Sequence, residues 1–141
     1  MEESTMCLRK HKRFTPKRRA YVAFARGNRN GPAQQSEIVD MSMGGAALKY
    51  VSKGESNRPG EDVFLEIFGV SMAYVIVEKI RCRVVYDVPM GEFPTNALKL
   101  RRCGLEFRDL SQLQSYLIGH YIEHFSRDEE AQRATVNART S

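Results

Sequence analysis

The sequence is short of several things, and each shortage excludes something. No apolar stretch approaches the roughly 20 residues that a membrane-spanning helix needs, so membrane insertion is not expected. The start, Met1-Glu2-Glu3-Ser4-Thr5, is acidic and polar. It lacks the apolar core of a secretory signal, and the expected location is cytoplasmic. Cysteine is scarce: Cys7, Cys82 and Cys103 are odd in number and widely spaced. Such a set builds neither a disulfide framework nor a zinc site and suits a reducing compartment. Cys82 and Cys103 read as small apolar core residues. His11, His120 and His124 have no metal-ligand spacing with carboxylates or cysteines, so no metal or other cofactor is expected. No P-loop, G-x-S-x-G or paired-acid constellation is present, and an enzyme is not expected.

What is there is an ordinary globular balance. The chain has 141 residues, one domain's length, with 42% apolar and 28% charged residues. That balance excludes wholesale disorder. The net charge of +5 is unevenly placed. Residues 1–30 hold nine Lys/Arg and two acids, a net of +7, leaving 13 of the 22 basic and 15 of the 17 acidic residues for the rest, a net of −2. A near-neutral domain behind a basic segment points to an anionic partner.

Along the chain, residues 1–15 have no apolar periodicity and read as a flexible basic lead-in. Strand signals follow at 20–25, 36–42, 46–51, 62–68, 73–78, 80–86 and 97–107, separated by Gly, Pro, Asn and Ser clusters. In 80–86, Ile80, Cys82 and Val84 alternate with Arg81, Arg83 and Val85, as in a half-buried strand. The period then changes. Leu110, Leu113, Leu117, Tyr121 and Phe125, widened by Ile118 and Ile122, form the face of an amphipathic helix. Asp109 or Ser111 can cap it. Residues 127–141 read as a disordered tail. The expected fold is all-β with a C-terminal helix: about six strands in a small antiparallel barrel or sandwich, and one helix docked on it.

Two constellations carry chemistry. Arg9-Lys10-His11-Lys12-Arg13 places two arginines at R-x-x-x-R spacing. Guanidinium forks pair with phosphates and with the O6/N7 edge of guanine, and they stack on flat bases. Asp40-Met41-Ser42-Met43-Gly44-Gly45 contains D-x-S-x-x-G. Period-two spacing puts Asp40 and Ser42 on one face of a strand. A carboxylate accepts from guanine N1–H and N2–H₂, a hydroxyl reaches a phosphate, and glycines allow a sharp turn and close approach to a ligand. Each half has a plainer reading alone: a solvated charge run, and a polar hairpin turn.

Together the halves resemble the PilZ family, whose signature is R-x-x-x-R followed by D/N-x-S-x-x-G. Arg9 and Arg13 match the first half; Asp40, Ser42 and Gly45 match the second. The stretch Arg101-Arg102-Cys103-Gly104-Leu105-Glu106-Phe107 is similar to the late barrel strand of a bacterial subgroup. The resemblance implies a six-stranded antiparallel PilZ-type β-barrel plus one amphipathic helix over residues 8–126: a basic switch segment 8–19, barrel 20–108, helix 110–126, and a tail at 1–7. It also implies a cyclic di-GMP receptor. Arg9 and Arg13 would grip guanine edges and phosphates, Asp40 a guanine edge and Ser42 a phosphate, with Gly45 keeping the surface clear. Lys10, Lys12, Lys17 and Gly44 are possible additional contacts. Arg81, Arg83, Arg101 and Arg102 read as strand-face charges, one of which would meet a phosphate only if its strand adjoined the site.

The implied switch is an ordering of the basic segment that engages a downstream protein, governing motility, adhesion or biofilm behaviour. One ligand or a stacked pair, and a monomer or a dimer, all fit. The rival readings are a PilZ-like protein adaptor without nucleotide and a small-barrel nucleic-acid binder. For the second, Tyr21, Phe24, Tyr74 and Tyr86 would stack bases, but no RNA-binding signature is present and no specific nucleic acid is expected.

Overall fold

The structure, a computed structural model, describes residues 12–16, 19–26, 33–69, 74–91 and 98–125. Six strands close into an antiparallel barrel in the order β1-β2-β3-β6-β5-β4. They are β1 (Tyr21–Arg26), β2 (Gln34–Ser42), β3 (Gly45–Ser52), β4 (Asp62–Phe68), β5 (Val75–Pro89) and β6 (Lys99–Phe107). The barrel is two three-stranded meanders, joined where β3 pairs with β6 and β1 with β4. One helix, α1 (Gln112–Phe125), follows. The expected tails at 1–7 and 127–141 lie outside the described residues.

Alternation fills the barrel. Val22 and Phe24 of β1, Leu48 and Tyr50 of β3, Val63, Leu65 and Ile67 of β4, and Cys103 and Leu105 of β6 point inward and are buried. The two segments expected at 73–78 and 80–86 are one strand, β5, of 15 residues. Its break is a bulge. Leu65 pairs with Ile80 and Ile67 with Val77, so Glu66 faces both Glu78 and Lys79. Lys79 absorbs the extra residue at φ 53°. The bulge also receives the helix: Gln114 Nε2 donates to the carbonyls of Glu78 and Lys79 at 3.0 and 3.1 Å.

Of the two candidate caps, Ser111 is the one used. Its Oγ accepts from Gln114 N–H, and Gln114 Oε1 accepts from Ser111 N–H, both at 3.0 Å, closing a reciprocal capping box. Ile118, Tyr121 and Ile122 carry the buried face of α1, with Leu110 and Leu117 packed at its edge. Leu113, expected on that face, is 65% exposed. Burial raises the Tyr121 phenol to about 12. A Cβ at Gly119 would stand 3.6 Å from Met43 Sδ, so this turn of the helix faces the β2–β3 hairpin.

Residues 12–15 differ from the flexible lead-in expected of them. Phe14 bridges Met41 of β2, its N–H donating to the Met41 carbonyl at 2.7 Å and its carbonyl accepting from Met41 N–H at 2.9 Å. Its ring packs against the core as well. An apolar anchor inside a basic run therefore fixes this segment on the barrel.

Candidate functional site

The site begins with two departures from strict alternation. In β2, Ile38 points inward opposite Leu48, and period two would send Asp40 inward after it. A bulge between Ile38 and Asp40 prevents this, so Asp40 faces outward opposite Ala47, while Met41 returns to the core opposite Ala46. In β5, Val84 points inward opposite Leu105, and Tyr86 would follow it. A second register shift, between Val84 and Tyr86, turns Tyr86 outward opposite Gly104 and Asp87 inward opposite Cys103. Bulges re-aim side chains in this way. Asp40, Ala47, Gly104 and Tyr86 thus form one outer row across β2, β3, β6 and β5.

The middle of the row is low. Ala47 is buried although it lies outside the core cluster. Gly104 has no side chain, and a Cβ there would meet the Tyr86 ring at 2.2 Å. The ring therefore lies down over the glycine.

Charge gathers at the Asp40 end. Arg13, 27 residues away in sequence, donates from Nη1 to Asp40 Oδ1 at 2.5 Å. The neighbouring Phe14–Met41 bridge sets its register. On the other side, Arg102 Nη2 stands 3.5 Å from Asp40 Oδ2. Arg102 Nε donates to the Tyr86 hydroxyl at 3.0 Å. That hydrogen bond, with the charges of Tyr86 and Asp40, raises the Arg102 pKa against a smaller effect of burial. Arg13 Nε is buried and has no hydrogen-bond partner. A buried unsatisfied donor on a charged group is costly, and binding sites are where such costs are tolerated.

The structure thus joins the two motif halves through Arg13 and Asp40. Ser42 is buried, and its Oγ accepts from Gly44 N–H at 3.1 Å across the Met43-Gly44 turn. Gly45 has a reason of its own, because a Cβ there would come within 2.1 Å of the Leu105 carbonyl oxygen on β6. Only glycine lets β3 and β6 approach this closely. Lys12 is exposed, its Nζ 5.7 Å from the centre of the Phe14 ring. Arg9, Lys10 and Lys17 lie outside the described residues. Tyr86 and Arg102 lie outside the two signature motifs, although Arg102 falls in the 101–107 stretch, and the β5–β6 and β3–β6 pairings bring them to Asp40.

A second polar cluster lies inside the barrel. The Asp87 side chain is 0% exposed. Its Oδ1 accepts from Arg101 Nε at 2.5 Å. Its Oδ2 accepts from the Tyr50 hydroxyl at 2.5 Å and from Asn57 N and Nδ2 at 2.8 and 2.9 Å. Arg26 Nε donates to Asn57 Oδ1 at 2.7 Å, tying the 53–61 loop to β1. Burial first, then the Asp87 bond and charge, push the Tyr50 phenol well above its ordinary value. Among the described residues, no group of three His, Cys, Asp or Glu side chains could hold a metal ion. No helix among them is long and apolar enough to cross a membrane.

A family model described as the PilZ domain matches residues 8–124. The chain belongs to the PilZ family. No curated protein matches it in sequence. Among solved structures it is similar to the PilZ domain with c-di-GMP of YcgR from Escherichia coli, at TM-score 0.65 and 12% identity, covering 92% of this chain and 97% of that one. Against YcgR in complex with c-di-GMP it covers 50% of that chain, at TM-score 0.63 and 14% identity. It is also similar to the MrkH–c-di-GMP complex of K. pneumonia, at TM-score 0.60 and 18% identity, covering 89% of this chain and 55% of that one. At such identities the likeness is one of fold, and this PilZ barrel has the six antiparallel strands and the terminal helix expected from sequence.

Proposed function

We propose that this PilZ chain is a receptor for cyclic di-GMP and not an enzyme. The ligand binds on the outer face of β2 and β3, under the N-terminal segment, through Arg9, Arg13, Asp40, Ser42 and Gly45. The observation that carries the reading is the Arg13–Asp40 pair with its buried, unpartnered Arg13 Nε. A carboxylate of this kind accepts from the N1–H and N2–H₂ of guanine, and an arginine beside it has donors for phosphate or for the O6/N7 edge. Solved PilZ domains of the same fold hold c-di-GMP, which supports the same ligand here.

The signalling step follows from the anchor. Arg13 sits one residue from Phe14, so a ligand that draws Arg13 off Asp40 repositions the segment around the Phe14–Met41 bridge. The re-ordered segment engages a partner protein and controls motility or biofilm behaviour. Calorimetric titration with cyclic di-GMP tests the reading. Saturable heat is expected, and a flat titration of demonstrably folded protein overturns it.

A further inference from the structure

The charges around Asp40 do not balance. One carboxylate stands between two guanidiniums, Arg13 at 2.5 Å and Arg102 at 3.5 Å. The second distance is too long for a hydrogen bond, so Arg102 is drawn to Asp40 without being bound by it. Arg102 also differs from Arg13 in its footing. Among the described residues Arg13 rides on a segment anchored at Phe14, by its bridge to Met41 and its packing against the core, whereas Arg102 stands in β6, paired on both sides within the closed barrel. Its Nε is fixed by the Tyr86 hydroxyl, and Tyr86 is in turn fixed by lying over Gly104. A bulge, a glycine and an aromatic hydroxyl thus hold one guanidinium at the rim of the proposed site with a positive charge in excess.

We propose that Arg102, positioned by Tyr86, is a further ligand-binding residue, receiving a phosphate of the bound dinucleotide once a guanine edge has taken Asp40. This rests on the ligand reading above. Guanine N1–H and N2–H₂ donating to the two oxygens of Asp40 compete there with both arginines, and although each oxygen has room for more than one donor, the hold of Asp40 on either guanidinium is weakened. Arg13 can leave with its segment. Arg102 cannot leave its strand, and its Nη donors are then turned to the nearest anion. An arginine fork is the group suited to that partner.

The test is titration of cyclic di-GMP into the wild type, Arg102→Gln, Arg102→Lys and Tyr86→Phe, at low and at physiological salt. Circular dichroism and thermal melts establish that each variant is folded. Arg102→Gln is expected to bind about tenfold more weakly or worse, as for loss of a charge-assisted hydrogen bond. Its affinity should also depend less on salt, because one attractive charge is gone. Arg102→Lys should restore the salt dependence and only part of the affinity. Tyr86→Phe should weaken binding by a few-fold and keep the salt dependence. Affinity equal to or tighter than wild type in folded Arg102→Gln overturns the inference alone, since Arg102 then only neutralises Asp40. Absence of binding by the wild type removes the ligand reading, and this inference with it.

Discussion

Asp40 and Asp87 are both carboxylates set beside arginines on the same barrel, yet they are built to opposite ends. The Asp87 side chain faces inward with no exposed surface, matched to one arginine and finished by neutral donors from Tyr50 and Asn57. Asp40 faces outward, its side chain 17% exposed, between two arginines, and Arg13 Nε beside it goes without a partner. The first is a closed account of charge and hydrogen bonds, as burial requires. The second is unfinished in both respects. The cluster left open is the one at which the ligand site is proposed, and the completed one has no donor or acceptor to offer a ligand. Both depend on bulges: one in β2 turns Asp40 out, and one in β5 turns Asp87 in.

The contrast is broken most forcefully at Asp87. Asp87→Ala leaves the Arg101 charge and the Tyr50 and Asn57 donors without their acceptor. A loss of about 3–5 kcal/mol in unfolding free energy is expected, as for removal of one partner of a buried ion pair. Urea denaturation measures it, and a loss below about 1 kcal/mol would mean that the cluster is not closed as described. Asp40→Ala is the mirror experiment. Its ion pairs are partly exposed and contribute about 0–1 kcal/mol to stability, but ligand binding should weaken by about 2–5 kcal/mol. A large loss of stability with intact binding would exchange the roles of the two sites.

The fold was legible in sequence because most strands are locally self-consistent. Turn clusters bound them, and in stretches such as Ile80, Cys82 and Val84 the alternation runs unbroken. The helix was legible from its spacing, although Leu113 shows that an apolar residue at the right interval is not always on the buried face. The site was legible in part. Arg13 and Asp40 stand out as motif residues and do meet. Arg102 read as a strand-face charge that would meet a phosphate only if its strand adjoined the site, and that adjacency is set by the non-sequential β3–β6 pairing, which leaves no local signal. The bulges at Asp40 and Tyr86 are equally silent: an inserted residue changes the phase of burial without changing composition. Asp87 followed for the same reason, since a carboxylate at a strand end looks solvated until the chain beyond the bulge is seen to turn inward.

A smaller effect separates packing from recognition at Gly45. An alanine Cβ would press on the Leu105 carbonyl, a backbone group that cannot swing aside. Gly45→Ala is expected to cost about 1–3 kcal/mol of stability, as for other overpacked sites. If Gly45 served only to keep the outer surface open to a ligand, the thermal midpoint would stay in place and binding alone would fall. Joint measurement of the two therefore sharpens which neighbour the glycine answers to.

The smallest effect is a difference in slope with pH. Burial holds Cys103 at about 12 and pushes Tyr50 well above its ordinary 10.0, and both belong to the Asp87 side of the molecule. These groups are neutral when protonated, and the folded state keeps their protons longer than the unfolded chain does. Between the unfolded values, 9.0 for the thiol and 10.0 for the phenol, and the folded ones, the native protein holds more protons. Stability from this source is therefore complete below about pH 8 and is lost as pH rises. Urea midpoints of the wild type should decline from about pH 9 upward. Cys103→Ala removes one titrating group, and relative to its own midpoint at neutral pH its decline should be shallower. In Asp40→Ala the decline should follow the wild type, because Cys103 and Tyr50 are untouched by that substitution. An alkaline slope that changed with Asp40 and not with Cys103 would place the pH-sensitive burial at the open cluster, and the distinction between the two carboxylates would fail.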